Sequence, residues 1–262
     1  MALRFVEIKN KLIRKLILLF SHYLDYFEEV DSIPKDTYIA ELAEDEQQNI
    51  LNTFLENKFN IFPGIVCSYL LLLLKVIYED KSFNFLDFGA RNIDNFAYLN
   101  KNISNIEYFY CDLPQYNEVI SKIKNKNSIK NLFVLSNIND VKNINIDFVF
   151  MGSVLQYLEN YKKIMEPIFD TNPQYIFISG QNCYEKKISD KEYIKYKQLN
   201  VLPQINHGLF FHLESFESFF KENGWKLESL SETNFDNYRN FNKINKEVGY
   251  IKNLDLMFKR IN

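Results

Sequence analysis

Apolar residues recur three or four positions apart through the first part of the chain, at Phe5, Ile8, Leu12, Leu16, Leu19, Tyr23 and Phe27. That spacing predicts an amphipathic helix. A second helix is predicted from Ile39 to Phe54. Pro63 suits the first turn of a third, where its missing N–H has no helical partner to lose, and this helix carries the apolar run Ile65 to Ile77. From Phe83 the pattern changes, and short β-rich runs alternate with helical stretches. Strands are predicted from Phe83 to Phe88, Ile106 to Tyr110, Leu132 to Leu135, Ile146 to Met151, Tyr175 to Ser179, Trp225 to Ser231 and Val248 to Phe258. Helices are predicted from Asn92 to Asn100, Gln115 to Lys124, Leu155 to Glu166 and Leu213 to Asn223, with Pro167 ending or kinking the third of these.

This alternation predicts an α/β fold, a mostly parallel seven-stranded sheet with helices on both faces. An N-terminal helical extension over residues 1–80 precedes it, so that the α/β domain spans 81–262. The segments beyond Gly224 suit an antiparallel pair at the sheet edge, with an Asn-rich loop from Glu232 to Glu247 between them. The stretch from Gln181 to Gln204 reads as a long polar connection whose lysines (Lys186, Lys187, Lys191, Lys195 and Lys197) form a solvated helix face in preference to a surface that attracts a phosphorylated ligand.

Composition narrows the function classes. With 47% hydrophobic and 25% charged residues the chain has the makeup of an ordinary globular protein. A formal net charge of -3 gives no basic excess for nucleic acid. The apolar run Leu16 to Phe20 is too short for a secretory signal, and that from Tyr69 to Ile77 is too short to span a bilayer, so a cytoplasmic protein is expected. Lys9, Lys11, Arg14 and Lys15 make the first helix basic. We read it as a cap with solvated lysines in preference to a membrane-surface anchor, and the N-terminal helices as the surface of a possible homodimer. Cys67, Cys111 and Cys183 have no CxxC spacing, and His22, His207 and His212 complete no ligand pattern. Free thiols in a reducing compartment and no metal are therefore expected.

Candidate chemistry gathers where strands run into turns. The first strand of the α/β region ends in Leu86-Asp87-Phe88-Gly89-Ala90-Arg91. Gly89 permits a tight turn and close approach to a ligand, and Asp87 is an acceptor for a cationic or hydroxylated one. The same pattern also serves as a plain turn. The second strand ends in Tyr110-Cys111-Asp112-Leu113-Pro114. Asp112 offers two oxygens to a ribose diol, or else caps the helix that Pro114 opens. The run Asp147-Phe148-Val149-Phe150-Met151-Gly152-Ser153-Val154-Leu155-Gln156-Tyr157-Leu158 carries an apolar strand straight into a polar loop.

Taken in this order, these three segments resemble class I S-adenosylmethionine (SAM)-dependent methyltransferases, whose fold is Rossmann-like. They are most similar to a methyltransferase family of bacterial surface-polysaccharide (capsule or O-antigen) gene clusters. His207-Gly208-Leu209-Phe210-Phe211-His212, then Phe216 to Phe220 and Gly224-Trp225, fits the late region of that family. The resemblance covers about Phe83 to Phe258. It implies a cofactor site in which Asp87, Gly89 and Ala90 line the methionine end and Asp112 binds the ribose hydroxyls. Leu113 would lie against the adenine, Ser136 and Asn137 at its edge, and Met151, Gly152 and Ser153 near the methyl group. Where further glycines are common in the family, this chain has Ala90, Arg91 and Asn92.

The resemblance further implies methyl transfer to a hydroxyl or phosphoryl oxygen of a capsule or lipopolysaccharide sugar precursor, with S-adenosylhomocysteine (SAH) as the other product. His207 and His212 are the candidate general bases, since imidazole titrates near neutral pH; the alternatives are a loop histidine for His207 and a helix N-terminal residue for His212. Tyr157 is a weaker candidate for the catalytic site, and Arg91, Gln156 and Gln181 are candidate acceptor contacts. Two other classes compete: a non-catalytic scaffold on the same fold, and an NAD or nucleotide-sugar enzyme, which the absence of G-x-G-x-x-G disfavours.

Overall fold

The computed structural model describes residues 25–34, 43–55, 65–186, 191–200, 205–233, 239–244 and 246–261. The helix predicted from Phe5 falls outside them except at its end, where Phe27 lies in strand β1 (Asp25–Glu29) rather than in a helix. Two helices follow as expected, α1 (Glu44–Leu55) and α2 (Ile65–Tyr78). The α/β alternation then runs β2 (Phe83–Phe88), α3 (Asp94–Asn102), β3 (Ile106–Cys111), α4 (Pro114–Lys126), β4 (Leu132–Val134), β5 (Phe148–Gly152), α5 (Tyr161–Asp170) and β6 (Tyr175–Tyr184). It continues through β7 (Tyr193–Asn200), β8 (Ile205–His212), α6 (Leu213–Glu222), β9 (Trp225–Glu232), β10 (Arg239–Lys243) and β11 (Ile251–Arg260).

One sheet holds all eleven of these strands, in the order β10-β1-β7-β8-β6-β5-β2-β3-β4, with β11 on the other side of β6 and β9 beyond it. This corrects the predicted seven. The seven strands read from the sequence are β2 to β6, β9 and β11; β1, β7, β8 and β10 are additional. Six of the ten pairings are parallel, and β9 and β11 pair antiparallel as predicted. The lysine-rich stretch from Lys191 is strand β7, not a helix face: Ile194 and Tyr196 turn inward while Lys195 and Lys197 alternate outward.

Both faces are covered. On one, Leu86, Val149, Met151, Ile176 and Ile178 pack under Tyr161, Met165 and Ile168 of α5 and Phe216 and Phe220 of α6. On the other, Phe85, Tyr108, Phe148, Phe150 and Phe177 meet Leu70 and Leu74 of α2 and Phe96 and Leu99 of α3. Two local readings are also corrected. The predicted helix from Leu155 is a single 3-10 turn, Leu155–Tyr157, and the α-helix begins only at Tyr161. Pro167 does not end that helix, since it lies inside it, buried, in the last turn, where only one helical hydrogen bond is lost.

The sheet forks at β6. Its first half pairs with β5 (Tyr175 to Ser179), but Cys183 and Tyr184 pair with Phe211 and His212 of β8 on that same side. From there β8, β7, β1 and β10 branch away around a third apolar cluster of Phe27, Tyr184, Ile194, Tyr196, Phe210 and Ile251. Laid flat, β10 would stand about 19 Å from β6, four strand spacings. Yet Arg239 Nη1 of β10 donates to Asn182 Oδ1 of β6 at 2.9 Å, so the branch curls back over the cluster.

Candidate functional site

Strand order reverses direction between β2 and β5, and the carboxyl ends of β2, β3 and β5 open onto this switch point. In open α/β sheets that is where ligands bind. The structure brings Asp87, Gly89, Ala90, Arg91, Asp112, Leu113, Met151, Gly152 and Ser153 to these three strand ends.

Asp87 is fully buried at the end of β2. Its Oδ2 accepts from the hydroxyl of Tyr108 and, at 3.0 Å, from Asn95 Nδ2. Its Oδ1 is a buried acceptor without a partner. Burial pushes its pKa up to about 6, with the Tyr108 and Asn95 hydrogen bonds pulling down and the charge of Asp112 pushing further up. A carboxyl whose pKa is raised on folding holds its proton more tightly when folded. Stability is therefore highest below the unfolded pKa and falls as pH rises from about 4 to about 6, by roughly 3 kcal/mol. Asp87→Asn removes this charge but leaves amide hydrogens at the orphaned position. It is expected to stabilise the protein by about 1–2 kcal/mol at pH 7.5 and by nothing at pH 4 in urea titrations.

Gly89 has φ +74°, which an L side chain rarely adopts, and its N–H donates to Cys111 O at 2.8 Å. A Cβ there would lie 2.6 Å from Val154 Cβ. Arg91 follows, also left-handed at φ +57°, and its amide donates to Asp112 Oδ2 at 2.6 Å. Asp112 Oδ1 accepts from the Leu113 amide, also at 2.6 Å. Asp112 thus ties together the two loops that follow β2 and β3. It is not the helix cap, because Leu113 holds that position with Pro114 in the first turn. Burial pushes the Asp112 carboxyl up, while the two amides and the Arg91 charge hold it down. Each oxygen accepts one amide and so keeps a lone pair for another donor.

Ser136 and Asn137 lie at the end of β4, both exposed. Asn117 Nδ2 bridges Asp112 O (2.9 Å) and Ser136 O (3.4 Å), which joins this edge to the β3 loop. Asn137 caps the 3-10 helix Ile138–Asn143 in a reciprocal box with Asp140. Ser153, left-handed at φ +54°, closes the β5 end with its amide on Ser179 O at 2.7 Å. Gln156 is buried and accepts from Asn182 Nδ2 at 2.6 Å, whereas Tyr157 beside it is 47% exposed. Gln181 is fully buried, with Oε1 unpartnered and Nε2 3.5 Å from Asn182 O.

The histidines differ. His212 ends β8 as the N-cap of α6: its Nδ1 accepts from the Ser215 amide at 3.3 Å, and Nε2 lies 3.2 Å from Glu185 O. Both ring nitrogens are committed. His207 lies near the start of β8, half-buried, next to Gly208, where a Cβ would come 2.8 Å from Gln156 O. Burial and the charge of Lys197 lower its pKa, so the ring is neutral at neutral pH. Among the described residues no group of three or more His, Cys, Asp or Glu is placed to hold a metal, and no helix is long and apolar enough to cross a membrane. Cys111 and Cys183 are buried free thiols, that of Cys111 pushed up to about 12 by burial.

No protein-family model matches the chain, and no curated protein matches it by sequence. Solved structures do match. One is a protein assigned as a sarcosine dimethylglycine methyltransferase from Galdieria sulphuraria, with TM-score 0.55 and 11% identity over 83% of this chain and 98% of that one. The fold is that of the Rossmann-like SAM-dependent methyltransferases. A second match is the N-terminal domain of EvdMO1, solved in the presence of SAH and D-fucose, with TM-score 0.53 and 8% identity over 85% of this chain and 98% of that one. Sequence reading missed Asn182, Asn253 and Arg239, which join Gln156 in one buried cluster beside the methyltransferase-fold site. The available signal was asparagine inside strand runs, where it is normally scarce.

Proposed function

We propose that the protein is a SAM-dependent methyltransferase acting on a small molecule. The observation that carries this reading is Asp112, a half-buried carboxylate held by the loops after β2 and β3 at the switch point, with one acceptor position left on each oxygen. That arrangement suits a ribose diol. Gly89 leaves the first loop without a side chain at its turn, and the orphaned Asp87 Oδ1 puts an unbalanced negative charge beneath it. A cofactor whose methionine end is cationic fits both. When bound, SAM would supply an electrophilic methyl group to the acceptor oxygen and be left as SAH, with the proton of a hydroxyl acceptor passing to a base of the chain.

The chain's own contribution is to bind, to orient and to take that proton. We assign the base to His207, whose ring is neutral at neutral pH and has no hydrogen-bond partner among the described residues, in contrast to His212. The rate should rise with pH through an apparent pKa below that of a free imidazole, lowered by burial and by the Lys197 charge. His207→Gln is expected to lower kcat about 100-fold and abolish that rise, with SAH affinity unchanged. An unaltered pH–rate profile in the variant would remove His207 from the reaction.

The acceptor we favour is a hydroxyl or phosphoryl oxygen of a carbohydrate precursor of a surface polysaccharide. The polysaccharide-cluster resemblance supports it, as does a similarly folded domain solved with both SAH and a sugar. Calorimetry with SAM, SAH and NAD tests the cofactor assignment. Micromolar SAM and SAH with no NAD is the expected result. A folded protein that binds neither SAM nor SAH would instead be a scaffold on this fold.

A further inference from the structure

Asp87 is a fully buried carboxyl that nothing in its surroundings balances. Tyr108 and Asn95 both donate to Oδ2, while Oδ1 accepts from no group. The ionisable groups around this end of β2 are Tyr108 and Tyr110 of β3, Asp112 just beyond that strand, Arg91 of the following loop and Asp94 at the start of α3. On the other side β5 offers only Phe150. Tyr110 stands opposite Asp87 in the register, and its hydroxyl is likewise buried without a hydrogen-bond partner. The Arg91 guanidinium acts on Asp112, and among the described residues no Lys or Arg charge offsets Asp87.

Burial favours the neutral carboxyl, and the two hydrogen bonds to Oδ2 favour the carboxylate. These effects nearly cancel at physiological pH, since the pKa stands at about 6. A modest change in local charge therefore decides whether the proton stays. The place where such a change would come from is close by. Gly89, two residues on, makes the turn of the switch-point loop, and Asp112 ties that loop to the one after β3. A positive group bound there need not touch Asp87. At an effective dielectric of about 20, a unit charge about 6 Å away shifts a carboxyl ionisation equilibrium roughly 100-fold. The coupling is reciprocal: a ligand that drives off the proton binds more tightly once the proton has gone.

We propose that Asp87 is a proton-coupled charge sensor for the cofactor, and that the cationic methionine end of SAM, on arriving above it, expels the carboxyl proton to solvent. SAM uptake is thereby linked to pH. At low pH SAM must displace the proton, whereas at high pH the carboxylate is already charged. Affinity for SAM should rise by about tenfold from about pH 5 to about pH 8. The proposal rests on the methyltransferase reading but goes further, because ribose recognition by Asp112 requires no proton to leave Asp87.

The full chain is titrated by calorimetry at about pH 6, in buffers of different ionisation enthalpy, with SAM and with methylthioadenosine. The second ligand keeps adenine, ribose and sulfur but lacks the methionine end and the sulfonium charge, so it reports any proton linked to Asp112. Roughly half a proton more should leave with SAM than with methylthioadenosine. In Asp87→Asn that excess should vanish, together with most of the rise in SAM affinity with pH. The comparison of ligands uses the unaltered chain and stands whatever the variant does to folding. Equal proton release with the two ligands, or an undiminished excess in Asp87→Asn, would overturn the proposal and leave the methyltransferase reading intact. A folded chain that binds neither ligand even at about pH 8 would sink both.

Discussion

Asp112→Ala is expected to weaken SAH binding at least about 100-fold in calorimetry. Two hydrogen bonds from ribose hydroxyls to a carboxylate are worth about 1.5–3 kcal/mol each, so their joint loss exceeds about 2.7 kcal/mol. The same carboxylate accepts the amides of Arg91 and Leu113, so the variant also loosens the two loops that frame the site. Asp112→Asn separates these effects. An amide keeps one acceptor oxygen but sets its NH2 group against one of the two backbone N–H donors, so about a tenfold loss is expected. Folding stability without ligand should fall by only about 1 kcal/mol in Asp112→Ala, since both freed amides face a half-exposed loop. A dissociation constant within about threefold of wild type would remove Asp112 from the cofactor site and leave it a loop clamp.

How far the sequence discloses this architecture depends on how each strand is buried. The strands β2, β3, β5 and β6 are covered on both faces and read as largely apolar runs, unbroken in Phe148-Val149-Phe150-Met151, as central parallel strands do. Of the four missed strands, β1, β7 and β10 are half-buried or marginal, whereas β8 buries Leu209, Phe210 and Phe211 and was read only as a motif. In β10, Arg239-Asn240-Phe241-Asn242-Lys243, a single apolar residue meets the core, and in β1 only Phe27 is buried among its described side chains. Period two was visible in Tyr193-Ile194-Lys195-Tyr196-Lys197, but lysine density suggested a solvated helix. Lysines on the open side of a strand give the same composition.

The candidate site divides along the same line. Asp87, Gly89, Asp112 and Ser153 each stand where an apolar strand gives way to a turn, so local sequence alone marks them. The place of His212 at a helix start was legible, but its second partner was not. His207 and His212 are five residues apart in similar company; the Ser215 amide, one helical turn along, engages His212 Nδ1 locally, and the Glu185 carbonyl, brought in by tertiary packing, engages Nε2. The Asn182 cluster was out of reach for a related reason. Gln156, Asn182, Arg239 and Asn253 come from one turn and three strands, and their meeting depends on the curl of a branch that no local pattern encodes.

Gly89→Ala is expected to cost about 2–5 kcal/mol of folding stability, measured by urea denaturation. Two terms contribute. An alanine at φ +74° pays about 1–2 kcal/mol for the left-handed backbone. Its Cβ would also stand 2.6 Å from Val154 Cβ, and the overpacking adds about 1–3 kcal/mol. The contact is with the branch point of a stiff side chain, so a change of rotamer does not relieve it. Because Val154 follows Ser153 directly, any retreat moves the β5 loop as well, and SAH affinity should fall with stability. A double-mutant cycle apportions the two terms. Val154→Ala keeps the Cβ but removes both γ-methyl groups, so the double variant should recover roughly 1 kcal/mol of the loss, with the backbone strain and the residual Cβ contact remaining. Strict additivity of the two substitutions would show that packing against Val154 is not what reserves this position for glycine, and that the turn conformation alone does so.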